Sequence, residues 1–493
     1  MKKYIIIILT VLTVFSCESI LDQEPVGNRT DVDFWQTEAD MLDALAGAYS
    51  MWPTRNLGMH DLFFDNQGDD HWRAGDHAED EDIETFNTSF SNYKIDRTYK
   101  DKYEVVSRAN GIIINGPKVK ELGTVSDASY NTIMGEAYFL RAYAYYRLYL
   151  IHGQVPIIEE EHVLSNNYKV PKCDSPEVLN AFIVADLEKA AGLLPMHNGA
   201  GRVGKGAAWA VLTSLHMHSA KDYADSENLN KAITAGQNVV DNYALADSYL
   251  SLFREGNEHL EENLFLMMND MEWINQRLMS KHRGPRPWGA YGFQEPLDDL
   301  VNEYEEGDVR KDVTIISDGQ TVRQGSLGEF EHTSDLSTTG HSYLKYLDWR
   351  ESDGAFNHGL NIPFLRAADT YLLVAEAKIR LNGAGAGDDL INKVRKRTGL
   401  ADVTNADIHD LIHETRVELA GENFRFQNLL RWDKAGIYDL EEFLSRPEKM
   451  LDRDMGRKSF SRPKNYYQPL PQVQIDNSDN VLVQNPLWVT GSN

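Results

Sequence analysis

Cys17 is the first residue whose type and setting point to chemistry. It ends the run Val14-Phe15-Ser16-Cys17, in which an apolar residue, a spacer and a small residue precede the cysteine. That order resembles a lipobox, where the cysteine is the residue to be lipidated. Lys2 and Lys3 stand ahead of it, followed by the apolar stretch YIIIILTVLTVF. A resident membrane helix needs about 20 apolar residues. The stretch is shorter and has the size of the apolar part of a secretory signal. Residues 1–16 are therefore expected to be a lipoprotein signal peptide and Cys17 the lipid anchor. The plainer alternative is an ordinary signal in which Cys17 is incidental. Each buried acyl CH₂ adds about 0.8 kcal/mol, so several chains hold a protein durably without a membrane helix.

Other spacings fail on context. GAGRVGKG (Gly199 to Gly206) matches a phosphate-cradling loop as far as Lys205. Gly206 stands where the Mg²⁺-binding hydroxyl is needed, and no apolar strand precedes it. A loop leading into a helix is the better reading. GAGAG (Gly383 to Gly387) follows a helical segment and not a strand, which removes the dinucleotide-binding context. The cluster Asp76, Glu79, Asp80, Glu81, Asp82 and Glu84 lacks the glycine-centred spacing of a Ca²⁺ loop and reads as a solvated acidic loop. The histidines form no HExxH, and none sits beside a GxSxG-like serine. No catalytic residue, metal ligand or cofactor is expected. A pair of glycosidase carboxylates cannot be read from spacing, so a surface glycoside hydrolase stays open as an alternative.

Charge narrows the partners. The 493 residues carry 49 lysines and arginines against 76 acids, a net charge of −27. Such a field repels nucleic acid and anionic membrane surfaces. Neutral sugars, or cationic patches on a protein, fit better. Once Cys17 is lipidated, Cys173 is alone, so the body is held by its core without disulfides.

The elements that must position any site are mostly helices. GEAYFLRAYAYYRLYLIHG is apolar or tyrosine-bearing nearly all round, the mark of a buried helix. KGAAWAVLTSLHMHSAKDYA pairs with ENLNKAITAGQNVVDNY, and DTYLLVAEAKIRLNG with DDLINKVRKRTGL. Paired amphipathic helices of this length suggest tetratricopeptide-like hairpins. From about 253 to 362, Gly, Pro, Asp and aromatic residues crowd together, which predicts long loops with a few short strands over a helical frame. The expected organisation is one body, 17–493, comprising a helical part (17–252), a loop-rich insertion (253–362) and a second helical part (363–493). Arg141, Glu376, Arg395, Glu414, Arg416, Glu418, Arg425 and Arg431 fall on buried-looking helices, where charges must pair.

Six blocks in order make the chain resemble the SusD/RagB family of nutrient-binding outer-membrane lipoproteins. They are DFWQTEADMLDALAGAYSMW, GEAYFLRAYAYYRLYLIHGQVPII, GRVGKGAAWAVLTSLHMHSAKDY, LRAADTYLLVAEAKIRLNG with INKVRKRTGL, ETRVELAGENFRFQNLLRW, and YYQPLPQVQIDNSDNVLVQNPLW. Thr415 departs from the pattern, since relatives often carry arginine there. The resemblance implies a mainly α fold with four tetratricopeptide-like units, a carbohydrate-binding surface and no catalysis. It also implies a TonB-dependent SusC-like transporter as partner, at the outer membrane and the cell surface. A helical-repeat scaffold for protein or peptide is the remaining alternative.

Sugar sites combine an aromatic platform with hydrogen-bonding side chains. Of nine tryptophans, Trp35, Trp52, Trp209, Trp432 and Trp488 fall in helical or terminal blocks. Trp72, Trp273, Trp288 and Trp349 fall in or near loops, where binding residues concentrate. Trp72 is flanked by His71 and Arg73, with Asp69 and Asp70 before them; Trp288 precedes Tyr291. Lys281, His282, Arg283 and Arg286 make a basic island beside that second group. The island either selects an acidic sugar or faces a partner or an acidic loop. The candidate ligand-binding residues are therefore His71, Trp72, Arg73, Trp273, Trp288, Tyr291 and Trp349.

Overall fold

Thr37 starts the first helix, α1 (Glu38–Tyr49): its hydroxyl accepts from Asp40 N, and the Asp40 carboxylate accepts from Thr37 N in return. The remaining principal helices are α2 (Ala78–Glu84), α3 (Tyr93–Glu121), α4 (Asp127–His152), α5 (Pro176–Leu193), α6 (Lys205–Ser219), α7 (Ser226–Asn242), α8 (Leu278–Arg283), α9 (Ala367–Asn382), α10 (Asp388–Arg395), α11 (Ile408–Leu419) and α12 (Arg425–Lys434). Ser126, Asp225 and Asp407 cap α4, α7 and α11 through their side-chain oxygens. The structure is a computed structural model that describes residues 34–52, 64–75, 77–269, 278–324, 328–347, 359–446, 449–450, 453–454 and 458–489. Cys17, Trp273 and Trp349 lie outside the described residues. No described helix is long and apolar enough to cross a membrane.

Helices adjacent in the chain pack together, α4 against α3 and α5, α6 against α7, and α9 against α10, and α9 also packs on α7 across the loop-rich segment and on α11. Because α4 is buried on nearly every face, it forms the spine. Around it Phe139 stacks on Tyr143 at 5.7 Å, and Phe265 meets Trp52 edge-on at 5.9 Å. Each such ring contributes about 1.5–3 kcal/mol on burial. Gly153 ends α4 at φ +70°, and a Cβ there would lie 2.8 Å from the Tyr467 ring, so glycine is required twice over. GAGRVGKG leads into α6, whose first residue is Lys205, and GAGAG joins α9 to α10.

Every charge assigned to a buried helix has a partner. Arg141 Nε binds Asp186 Oδ2 at 2.7 Å, Arg395 Nη1 binds Glu414 Oε2 at 2.9 Å, and Arg431 Nη2 binds Glu376 Oε2 at 2.6 Å. Arg416 and Arg425 hold Asp70 and Asp69. Glu418 sits among Arg310, Arg366 and Arg397. Burial alone would raise its carboxyl, but Arg397, Arg366 and Arg310 outweigh that and hold it at about 2.

The acidic cluster differs from expectation. Asp80 to Glu84 belong to α2, where Asp80 is buried against Lys94 and Glu84 against Arg73. Ile83, fully buried within the cluster, folds the segment inward as a helix.

Among the described residues the strands form five antiparallel pairs. In chain order they are β1 (His71–Arg73), β2 (Asn263–Met267), β3 (Gln294–Pro296), β4 (Ile315–Ser317), β5 (Thr321–Gln324), β6 (Gly328–Glu331), β7 (His341–Tyr343), β8 (Ile362–Arg366), β9 (Lys449–Met450) and β10 (Arg453–Asp454). Pairing joins β1 to β3, β2 to β8, β4 to β7, β5 to β6 and β9 to β10. For the site, the β1–β3 pair matters most. It sets Trp72 opposite Glu295 and, with β7 against β3, ties the N-terminal helical part to the loop-rich segment.

Candidate functional site: an aromatic face on β1 and the 284–292 loop

Strand alternation sorts the first three candidates. His71 and Arg73 point inward and are buried, and Trp72 points outward and is half-buried. His71 Nε2 lies 2.9 Å from Asn66 Oδ1, which also accepts from Gln294 Nε2 at 2.6 Å. Burial, with Arg283 and Lys458 nearby, pushes the imidazole pKa well down and keeps it neutral. Arg73 spends its guanidinium on α2 and the backbone, with Glu84 and Glu81 each at 3.3 Å and Gly75 O at 3.0 Å. These two residues hold β1 in place. Only Trp72 presents a ring, and among the described residues no other aromatic ring packs on it.

The second group sits on one closed loop. Tyr291 N donates to Lys281 O at 2.6 Å and Phe293 N to His282 O at 2.7 Å, clasping residues 284–290 between α8 and β3. Trp288 folds back at the tip, edge-on to Phe330 at 4.7 Å, over the cluster of Ile316, Leu344 and Leu347. Its position is that of an anchor for the loop. Tyr291 is 41 % exposed, with one ring face stacked on Phe293 at 5.1 Å and Lys281 Nζ 5.0 Å from the ring centroid. Phe293 in turn meets the His77 edge at 4.9 Å.

The basic island does not stay together. Arg283 is buried, its Nε donating to Gln294 Oε1 at 2.5 Å and its terminal nitrogens to Gly421 O and Asn423 Oδ1. His282 is buried as well. Lys281 and Arg286 remain near the surface. Arg286 Nη2 reaches Glu295 Oε1 at 3.1 Å, and Glu295 Oε2 accepts from Thr338 N at 2.6 Å. Burial raises the Glu295 pKa in spite of Arg286. Trp72 thus pairs across the strands with buried Glu295, which holds Arg286, and Arg286 bonds in turn to Tyr291 O. Stacking on the Trp72 ring and hydrogen bonding at Arg286 and Tyr291 are what this arrangement offers a ligand.

Two other features resemble sites. A groove of about 480 Å³ opens beside α3, lined by Tyr99, Tyr103, Pro156, Tyr168 and Leu482. Its exposed lining is mostly apolar, with Lys100, Glu104, Lys169 and Gln474 also lining it, and Tyr103 Oη already donates to Pro156 O at 2.5 Å. Elsewhere His341 bridges Ser317 Oγ and Asp298 Oδ1, both at 2.8 Å. The amides of Ser317 and Asp318, which an oxyanion would need, donate to Gln320 Oε1 and Gly340 O instead. Among the described residues no group of three or more His, Cys, Asp or Glu could hold a metal ion.

A model of the SusD family matches residues 212–488, and a second, described as starch-binding associating with outer membrane, matches residues 20–217. The chain belongs to the SusD family. A SusD-like protein of Formosa agariphila is 25% identical over 87% of this chain and 90% of its own. One from Bacteroides ovatus is 25% identical over 92% and 84%. Among solved structures, surface glycan-binding protein A from Bacteroides thetaiotaomicron, in complex with laminarihexaose, has a TM-score of 0.74 at 20% identity, covering 91% of this chain and 100% of that one. A SusD-like carbohydrate-binding protein from Bacteroides fragilis has a TM-score of 0.76 at 21% identity, covering 91% and 99%. The SusD-like helical fold was expected from the six sequence blocks. Phe293 and Glu295, which shape the site, were not; both stand in a segment read as loop, where three-residue β3 is too short to show alternation.

Proposed function

We propose that this chain is a cell-surface lipoprotein that binds an oligo- or polysaccharide and delivers it to a SusC-like, TonB-dependent transporter of the outer membrane. The observation that carries the reading is Trp72: an outward ring on a strand pair, with no aromatic neighbour among the described residues and with Glu295, the partner of Arg286, opposite it across the strands. A flat apolar face ringed by donors and acceptors suits the C–H face of a pyranose ring and its hydroxyls. Membership of the SusD family supports the assignment, as does the likeness in fold to a glycan-binding protein solved with laminarihexaose. Residues 1–16 are taken as the signal and Cys17 as the anchor. Residues 17–493 are taken as one body, with 253–362 as the insertion that supplies the Tyr291 side of the site. A tethered binder moves nothing across a membrane, so a transporter has to receive the ligand, and tethering raises the binder's effective concentration there. The chain acts by binding, without catalysis or cofactor. A glycan array probed with the mature protein tests the core of this reading. Retention of one structural class of glycan is the expected result, and retention of none across the array would overturn it.

A further inference from the structure

We infer that the site selects glycans carrying an anionic group, a carboxylate or a sulfate ester, and that Lys281 is the residue that reads it. This rests on the glycan-binding reading above and sharpens it to a ligand class. Lys281 ends up beside Tyr291 for a structural reason: the Tyr291 N to Lys281 O bond and the Phe293 N to His282 O bond bring the two segments together. Its ammonium lies 5.0 Å from the Tyr291 ring centroid. No carboxylate of the described residues lies within ion-pairing distance of it, in a chain with 76 acids and a net charge of −27. Arg73 is occupied by Glu81 and Glu84, Arg283 is buried, and Arg286 shares Glu295. Among these described cations, Lys281 is thus the one without a carboxylate partner among the described residues.

The Tyr291 ring supports the same conclusion. One face is taken by Phe293 and Lys281 Nζ lies over the ring, so Tyr291 serves a ligand less as a stacking plate than as a support for the ammonium. Trp72 supplies the plate. Trp72 is linked to Lys281 through Glu295, Arg286 and Tyr291, so a sugar on the Trp72 ring that extends along these partners ends at an unmatched positive charge. A neutral sugar leaves that ammonium without an anion. A uronate carboxylate or a sulfate ester gives it a charge-assisted hydrogen bond, the stronger kind.

Calorimetry on the mature protein with three chain-length-matched oligosaccharides separates the possibilities: a neutral galactan, an oligogalacturonide and a sulfated galactan. One or both anionic probes are expected to bind, with affinity falling as NaCl is raised. Which of the two binds names the anionic group. Lys281→Gln should lose about tenfold in that affinity, the scale of a hydrogen bond to a charged group. Lys281→Arg should restore most of the loss. Equal or better binding of the neutral probe, or an anionic preference that survives Lys281→Gln, overturns the inference and leaves glycan binding standing. Failure of all three probes, with an array also empty, overturns the glycan reading itself.

Discussion

Trp72 and Trp288 look alike in sequence, each an aromatic among Gly, Pro and charged residues, yet their surroundings assign them different work. Trp72→Ala should weaken binding of the identified glycan by roughly tenfold or more, about 1.4 kcal/mol, and leave the thermal midpoint unchanged, because among the described residues no ring packs on it. Trp288→Ala should lower the midpoint, since its ring covers Phe330 and the Ile316 cluster. Losing that packing costs up to about 3–5 kcal/mol for a fully buried tryptophan, less for this half-buried one. Differential scanning calorimetry alongside a binding titration distinguishes the two. The loop aromatics were legible in the sequence because loops carry binding residues. The direction of each side chain was not. His71 and Arg73 read as partners of Trp72, and only the pairing of β1 with β3 turns them inward.

At the level of elements, the buried ion pairs do what the sequence implied: charges on apolar helices stay there by matching. Glu418 takes bonds from Arg310, Arg366 and Arg397, so Glu418→Gln leaves three buried guanidiniums short of an anion. A loss of about 3–5 kcal/mol is expected, read as a lower urea midpoint at an unchanged slope. The helical hairpins were readable because their apolar periodicity extends over many residues. The acidic segment at α2 was misread as solvated because its charge count hid Ile83, Asp80 and Glu84, which face the core. The 284–292 loop was misread in part for a related reason. Its basic residues are adjacent in sequence, but the clasp to α8 sends Arg283 inward and leaves Lys281 outside. Local composition reports what a segment contains and not which face it buries.

For the whole molecule, buried histidines make one contribution to the response to acid. Burial holds His152, His216 and His332 at about 4 and pushes His71 and His218 well below their ordinary value. As pH falls below 6.5 the unfolded chain takes up protons that the folded one refuses, so stability declines toward pH 4. Asp65 and Asp369, raised to about 6 by burial, act in the opposite sense, as do Asp70, Asp80, Asp186 and Glu295, also raised by burial, and His413, raised by its bond to Glu303. Below that range Glu418, held at about 2, adds a loss that runs from its ordinary 4.5 downward. His152→Gln removes one of the histidine losses, so the variant's thermal midpoint relative to wild type should rise as pH falls from 6.5 to 4. At the membrane, Cys17→Ala should move the protein from the membrane to the soluble fraction in cells lacking the transporter. Co-purification of the unaltered protein with a barrel transporter in mild detergent would be the matching observation for the partner. The most direct measurement is a calorimetric titration of the array-identified glycan into wild-type protein and Trp72→Ala. Saturable one-site binding by the wild type, lost or weakened at least tenfold in a variant that melts at the same temperature, is the predicted result; equal affinity in both proteins would contradict a ligand site on β1.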